Sequence, residues 1–89
     1  RSIEFTLRKT RFFDRYTDRF NVRQQLVITR MLKEGPKGFK GGMNAQKYIG
    51  ITKTSKATAT RDLQYLLEIG AFVREGSAGG RSTRYQLNI

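Results

Sequence analysis

The stretch that decides the fold is Ile51-Thr-Lys-Thr-Ser-Lys-Ala-Thr-Ala-Thr-Arg-Asp-Leu-Gln-Tyr-Leu-Leu-Glu-Ile-Gly70. Ser55 precedes a helical run, and its short hydroxyl can accept a hydrogen bond from an unpaired N–H group in the first turn. Apolar side chains then recur at helical spacing and form one face, made of Ala59, Leu63, Leu66 and Leu67. Gly70 ends the run, as a glycine in the left-handed conformation commonly does. The stretch predicts a turn followed by one strong helix.

The opposite face of this helix carries small, hydroxyl-bearing and cationic side chains. It comprises Ala57, Arg61, Gln64 and Tyr65, with Lys56, Thr58 and Thr60 at its flanks. An arginine can pair bidentately with guanine, a glutamine with adenine, and small residues allow close approach or contact a thymine methyl group. Such a face near a helix N-terminus suits insertion into a DNA major groove. The predicted groove-reading set is Lys56, Ala57, Thr58, Thr60, Arg61 and Gln64.

The residues just before the helix are predicted to position it on DNA phosphates. They are Thr52, Lys53, Thr54 and Ser55. From Asn44 to Arg61 the chain carries four cationic residues and no acid. The alternative is that Ser55 only caps the helix, that Arg61 pairs with a nearby acid, and that the threonines are ordinary surface residues.

The charge of the chain is strongly unbalanced. Its 89 residues include 18 Lys and Arg against seven Asp and Glu, which gives a net charge of +11. This balance predicts an acidic partner, most simply the phosphates of nucleic acid and otherwise an anionic membrane surface. The alternative is that the charge serves only solubility. The length indicates one domain with a thin core, because small domains bury a smaller fraction of their surface.

The residues that the sequence lacks exclude several kinds of site. Without cysteine there is no disulfide or thiolate metal site, and without histidine the commonest general base and metal ligand is missing. Asp62, Glu68 and Glu75 are scattered, and the first two are expected to face solvent or neighbouring elements. We therefore expect no enzyme activity, no metal and no cofactor in this chain. No apolar run approaches the roughly 20 residues that span a bilayer, nothing resembles a signal peptide, and we expect a cytoplasmic location.

The N-terminal segment, residues 1–20, is basic and aromatic. Aromatic residues fall on one side of a helical projection and arginines on an adjacent side. The aromatic set is Phe5, Phe12, Phe13, Tyr16 and Phe20, and the arginine stripe is Arg8, Arg11, Arg15 and Arg19. This pattern predicts an amphipathic helix that packs on the domain, with the arginines solvated; a nucleic-acid contact is the alternative. Ile3, Phe5 and Leu7 alternate, so an extended start is a second possibility.

Two further helices are predicted by their caps. Asn21-Val-Arg-Gln24 has the form of a capping box, and the helix it opens has an apolar face of Leu26, Val27, Ile28, Met31 and Leu32. Gly35-Pro36 should stop this helix, and Phe39 in the basic loop that follows should anchor to the core. Asn44 can cap a short helix over about residues 45–50, with Met43 and Tyr48 placed as a hydrophobic staple.

We expect Gly50 to permit the tight turn that follows the short helix, and a short strand near Gly42–Met43. A short helix, a turn and a longer capped helix is the order of a helix-turn-helix.

After Gly70 the hydrophobic period changes to two. Residues 71–76 and 81–88 are predicted to be paired strands, and residues 77–80 their hairpin turn. Tyr85, Leu87 and Ile89 share one face of the second strand. The basic residues of the predicted hairpin are Arg74, Arg81 and Arg84. Of these, Arg81 and Arg84 are predicted to contact phosphates or the minor groove.

These elements predict a mainly α domain with a small antiparallel β wing. It is a winged helix-turn-helix over residues 21–89, preceded by an N-terminal amphipathic helix. The helix-turn-helix covers about residues 44–69 and the wing residues 71–89.

Four stretches resemble the C-terminal winged-helix region of Fic family proteins, the larger bacterial kind with a catalytic domain upstream. They are Arg11-Phe12-Phe13, Asn21-Val-Arg-Gln24, Phe39-Lys-Gly-Gly-Met43 through Lys47-Tyr48, and Ala57-Thr-Ala-Thr-Arg-Asp-Leu63 with Gly79-Gly-Arg-Ser-Thr-Arg-Tyr85. They cover nearly the whole chain in the right order. One departure is Phe13, where the family pattern has a tryptophan, so packing detail differs there.

The resemblance implies an accessory domain and no catalytic one. Fic proteins transfer AMP or another phosphate-containing group to a protein hydroxyl, with the histidine of an HPFxxGNGR-like motif as general base. This chain has no histidine and no such motif, so the catalytic residues of the family have no positions here. Its start at an arginine rather than a methionine fits a fragment of a longer protein. The resemblance implies an upstream Fic catalytic domain in the parent chain.

Two functions remain open from the sequence. One is binding of double-stranded DNA through the long helix and the wing. The other is a protein-interaction or regulatory module that docks on the catalytic domain or presents its target, since a winged helix also serves protein binding. The sequence determines neither the oligomeric state nor the DNA sequence recognised.

Overall fold

The computed structural model describes residues 2–34, 41–75 and 84–89. Over these residues the chain is mainly helical and carries a small two-stranded antiparallel sheet, which confirms the predicted class. The elements in chain order are α1 (Ser2–Arg15), α2 (Val22–Leu32), α3 (Ala45–Thr52), α4 (Lys56–Glu68), β1 (Phe72–Glu75) and β2 (Arg84–Leu87).

Helix α1 packs on the domain through one side. Phe12 and Tyr16 are buried, and their rings lie 6.0 and 5.6 Å from the ring of Phe20, measured between centroids. The helix ends at Arg15, so the predicted helix over residues 1–20 was too long, and the extended alternative for its first residues was wrong. Phe13 was wrongly assigned to the packed side, and its side chain is 39% exposed. Successive side chains of a helix point about 100° apart, so Phe13 points away from the direction of the buried Phe12.

Helix α2 begins with the predicted capping box. The Asn21 side chain accepts a hydrogen bond from the Gln24 N–H at 2.8 Å, and the Gln24 side chain accepts one from the Asn21 N–H at 2.9 Å. Its buried apolar residues are Val27, Ile28, Met31 and Leu32. Leu26 was wrongly placed on this face and is 50% exposed. The predicted stop at Gly35-Pro36 and the anchor Phe39 lie outside the described residues.

Helix α3 is capped by Asn44, whose side chain accepts from the Lys47 N–H at 2.8 Å. Met43 and Tyr48, the predicted staple, are both fully buried. The helix runs to Thr52, and Gly50 lies inside it, so the turn does not use this glycine. The left-handed residue of the turn is instead Lys53, with φ 59°, whose N–H donates to the Ile49 carbonyl at 2.7 Å. The position of the turn is therefore set by the hydrogen bond from the Lys53 N–H to the end of α3, and not by the glycine.

The sheet pairs β1 with β2 in the register Phe72 to Leu87 and Glu75 to Arg84. Ala71 and Asn88, predicted as strand residues, lie outside the strands, and residue 76, the expected hairpin turn at residues 77–80 and residues 81–83 lie outside the described residues. The segment before α3 also joins the sheet, because Met43 and Tyr85 exchange two backbone hydrogen bonds of 2.8 and 2.9 Å. The short strand expected near Gly42–Met43 is therefore reduced to this isolated bridge.

One hydrophobic core holds these elements together. It receives side chains from every helix and from both strands, and among its members are Phe12, Ile28, Tyr48, Leu66, Phe72 and Tyr85. Gly70 follows α4 with φ 86°, as predicted for a helix-ending glycine, and leads directly into Ala71 and β1. The core therefore fixes α4 between α2, α3 and the sheet.

Candidate nucleic-acid interface

Helix α4 begins at the predicted cap. The Ser55 hydroxyl accepts a hydrogen bond from the Thr58 N–H at 3.2 Å. Ala59, Leu63 and Leu66 are buried on one side, as predicted, whereas Leu67 is only half-buried. The helix therefore meets the core through one side from Ala59 onward and leaves its first two residues exposed.

Most of the predicted groove-reading set lies on the exposed side of α4. Its exposed members are Lys56, Ala57, Thr60, Arg61 and Gln64. Thr58 is half-buried, and its hydroxyl accepts from the Ser55 hydroxyl at 3.1 Å. Tyr65, placed with this face from the sequence, is half-buried against the core. The structure thus gathers five of the six predicted residues on one exposed surface, hereafter the α4 face.

The residues before α4 are less uniform than predicted. The Thr52 hydroxyl donates to the Tyr48 carbonyl at 2.8 Å, so it caps the end of α3. Thr54 is half-buried, whereas Lys53 and Ser55 are exposed beside the first turn of α4. Of the four predicted phosphate contacts, Lys53 and Ser55 are the most accessible.

A buried carboxylate underlies the α4 face. Asp62 is 5% exposed and accepts from Arg23 Nε at 2.6 Å and Nη2 at 3.1 Å. It also accepts from the Tyr48 hydroxyl at 2.7 Å and from Asn21 Nδ2 at 3.2 Å. Its backbone carbonyl accepts from Gln24 Nε2 at 3.1 Å. Asp62 therefore ties α4 to α3, to α2 and to the cap of α2.

Asp62 and its partners Arg23, Tyr48, Asn21 and Gln24 are hereafter the junction at Asp62. The sequence interpretation missed it, because it counted Asp62 among scattered acids. A signal was present: Asp62 follows Ala59 by three residues and precedes Leu66 by four, so it lies on the apolar face of α4. An acid on a core-facing position has to find cations and donors, since burying it unpaired is costly. The Asn21 cap and Arg23 supply them from α2.

The pKa values of the junction follow from its geometry. Burial acts to raise the pKa of Asp62, but the hydrogen bonds from Arg23, Tyr48 and Asn21 outweigh it and hold this pKa below its usual value. Burial, and then the hydrogen bond to Asp62, raise the pKa of Tyr48. The hydrogen bond to Asp62 raises the pKa of Arg23. At neutral pH the junction is thus an ion pair with a neutral phenol.

The junction also decides the state of Arg61. The alternative interpretation had Arg61 paired with a nearby acid, and the adjacent acid is Asp62. Asp62 is instead taken by Arg23, in what is the one ion pair among the described residues. Arg61 is exposed and keeps its guanidinium donors available for a ligand.

The sheet carries exposed arginines on opposite faces, because Arg74 is paired with Tyr85 and Arg84 is the neighbour of Tyr85 along its strand. Arg74 and Arg84 are exposed on neighbouring strands, where Arg84 lies opposite Glu75 in the register. Gly42 packs beneath this pair with φ 71°, and a Cβ added there would lie 2.6 Å from the Glu75 carboxylate. Arg81, the other predicted wing contact, lies outside the described residues.

The described residues offer little support for a metal site or a membrane span. They contain no group of three acidic, histidine or cysteine side chains that could hold a metal ion. No helix in the same part of the chain is long and apolar enough to cross a membrane. Compared with models of protein families and with curated proteins, the chain matches none.

Proposed function

We propose that the chain is a winged-helix module that binds double-stranded DNA, with α3 and α4 as its helix-turn-helix and α4 as the recognition helix. The order of elements supports the fold proposal, because two short-linked helices are followed at once by an antiparallel pair of strands. The isolated bridge between Met43 and Tyr85 supports it further, since it joins the segment before α3 to strand β2.

The observation that carries the DNA proposal is the α4 face. It combines Arg61, Gln64 and small or hydroxyl side chains on the exposed side of a helix whose residues 56–61 include no acid. These are side chains that discriminate base edges in the major groove. The junction at Asp62 supports the same function, since a reading helix has to be held in one orientation.

The proposed mode of binding divides the residues by role. The α4 face enters the major groove, with Arg61 and Gln64 at base edges. Lys53 and Ser55 contact phosphates at the start of the helix, and Arg84 contacts phosphate from the sheet. The net charge of +11 supplies the salt-dependent attraction to the duplex.

The parent protein is proposed, from the resemblance of the four stretches alone, to be a Fic-type transferase with its catalytic domain upstream. In that case the module is an accessory domain that brings the transferase to DNA. The chain itself contributes no catalytic group to this proposal.

The direct test measures affinity for random and selected duplexes across about 50 to 200 mM salt, where each phosphate contact contributes a slope of about −0.9 in log affinity against log salt. We expect tight binding at low salt that falls steeply as salt rises. A flat salt response, or no binding at low salt, would refute DNA binding.

A protein-docking function is the second candidate, and one observation favours it. Helix α1 exposes Ile3, Leu7 and Phe13, by 76%, 51% and 39%. Exposed apolar side chains grouped on one helix are typical of a contact surface. Under this alternative α1, and not α4, carries the main interaction.

The two candidates differ in what truncation of the parent does. A DNA module predicts that removing residues 44–89 abolishes DNA binding and leaves transferase activity on a simple substrate intact. A docking module predicts a changed transferase rate or target choice, with no competition by DNA. Loss of activity together with unchanged DNA binding would favour docking over DNA recognition.

A further inference from the structure

An open groove of about 500 Å³ runs beside the α4 face. Arg61 and Tyr65 line it from α4, and Arg19, Phe20 and Arg23 line it from the connection between α1 and α2 and from the start of α2. The groove therefore flanks the surface proposed to enter the major groove, on the side where Arg61 lies. In a duplex, this is where a sugar–phosphate strand borders the groove that the helix occupies.

The charges in the groove suit phosphate. Arg19 and Arg61 are exposed, and neither forms an ion pair with a described acid. Arg23 donates hydrogen bonds from Nε and Nη2 to Asp62, but its side chain is 40% exposed, so the other edge of the guanidinium group reaches solvent. Since Arg23 neutralises Asp62, the remaining free carboxylate of the lining is Asp18, at the rim.

The aromatic lining suits the rest of a nucleic-acid strand. Phe20 and Tyr65 are both half-buried and pack against the core, so they form a fixed wall. A DNA strand alternates charged phosphates with sugars, and contacts to phosphate and sugar set the position of a protein on the duplex. Guanidinium groups beside a fixed apolar wall match that alternation.

We propose that one strand of the duplex lies in this groove, with its phosphates on Arg19 and on the free edge of Arg23. This inference rests on the proposed DNA binding and adds a backbone site formed by the connection between α1 and α2. It gives Arg19, the last member of the N-terminal arginine stripe, a role separate from the arginines of α1, of which Arg8 is half-buried and Arg11 and Arg15 are exposed. Arg61 lies where the strand meets the groove that α4 reads.

The main test is Arg19→Ala, because this side chain is exposed and its loss leaves the junction at Asp62 intact. On a preferred and on a scrambled duplex, affinity should fall by the same factor, on the order of fivefold near 0.1 M salt, and the salt slope should shrink by about 0.9. The matched control is Lys33→Ala, which removes one charge at the far end of α2, about 15 Å from Arg23 along the helix. It should change neither the affinity nor the slope appreciably.

A second variant should change the DNA affinity in the opposite direction. Asp18 has φ 62°, a conformation that asparagine also adopts readily, so Asp18→Asn removes the rim carboxylate without backbone strain. Both duplexes should then bind about twofold more tightly, because one repulsive charge beside a phosphate is gone. Unchanged or weaker binding by this variant would overturn the groove proposal.

A neutralised phosphate locates the contact. Duplexes carrying a methylphosphonate at single positions flanking the site should weaken binding by the unaltered protein at one or two positions. At the position that Arg19 contacts, the same substitution should cost the Arg19→Ala variant nothing further. If Arg19→Ala binds as the unaltered protein does, or loses no more than Lys33→Ala, the groove proposal fails while DNA binding stands. If the unaltered protein binds no duplex at any salt, the proposed function itself fails.

Discussion

Helices α1 and α4 are similar in length, with 14 and 13 residues, yet they present different kinds of surface. In α4 the apolar residues share one side and the exposed side is polar. In α1 apolar residues occupy more than one side: Phe12 and Tyr16 pack on the core, Ile3 and Leu7 are exposed on the opposite side, and Phe13 lies between the two sides, 39% exposed. A polar exposed face suits the base edges and phosphates of DNA, whereas an apolar one suits another protein. The comparison therefore separates the two candidate functions by element.

The largest effect is expected in the core beneath α4. Leu66 is fully buried, so Leu66→Ala should lower the free energy of unfolding by about 2–5 kcal/mol through lost burial and the cavity left behind. Leu7→Ala, on the exposed side of α1, should cost less than about 0.5 kcal/mol. Denaturant unfolding of both variants measures the difference. Equal costs would mean that the two helices do not differ in the way described.

The next effect concerns the junction that orients α4. Asp62→Ala removes the acceptor of four side-chain hydrogen bonds and leaves the buried Tyr48 hydroxyl without one, which should cost about 1–3 kcal/mol. The control is Glu68→Ala, which removes an exposed acid near the end of the same helix and should change stability by less than about 0.5 kcal/mol. Thermal melting of the two variants tests this. Equal melting temperatures would show that the junction contributes no stability.

The pH dependence of stability should show the same junction. The folded pKa of Asp62 is below its unfolded value of about 3.9, so its contribution is complete above that pH and is lost as the pH falls further. The folded pKa of Tyr48 is above its unfolded value of about 10, so its contribution is complete below that pH and is lost as the pH rises. In Asp62→Ala, acid should destabilise the protein less than it does the unaltered chain. An identical acid limb in both would rule out Asp62 as its source.

The DNA contacts themselves should divide between base reading and phosphate binding. Arg61→Ala should cost about 1–3 kcal/mol on a preferred duplex and relax the sequence preference, because a base contact is lost. Arg84→Ala should weaken all sequences alike and reduce the salt slope by about 1, because a phosphate contact is lost. Titrations on preferred and scrambled duplexes compare the two. Sequence-independent losses from both variants would contradict the division.

The smallest effect is expected from the exposed side of α1. Ile3→Ser should leave both stability and DNA affinity nearly unchanged if α4 is the functional surface, because the Ile3 side chain is 76% exposed and is not part of the core. If the docking alternative is correct, the same variant should weaken association of the module with the proposed Fic-type parent. Duplex titration and a binding assay with the separate catalytic domain of that proposed parent give the two measurements.

Much of the architecture followed from local rules. The caps at Asn21, Asn44 and Ser55 and the glycine after α4 set where elements begin and end, because the hydrogen bonds they make are short-range. The period of the apolar residues separated the buried and exposed sides of α4 for the same reason. Gly50 shows where local rules fail: the sequence offered a glycine for the turn, but the hydrogen bonds at the end of α3 placed it at Lys53.

The charge, the element types and the exposed face of α4 could be predicted from the sequence, because each depends on residues near one another along the chain. The partners of Asp62 could not, because they come from α3, from α2 and from the cap of α2, 14 to 41 residues away, and meet Asp62 through tertiary packing. The tertiary structure also decided that Arg61 has no acidic partner among the described residues, that Phe13 is partly exposed, and that Arg19 lies in the same groove as Arg61. These features depend on how helices pack across long separations, and hydrophobic periodicity carries no information about which polar groups then meet.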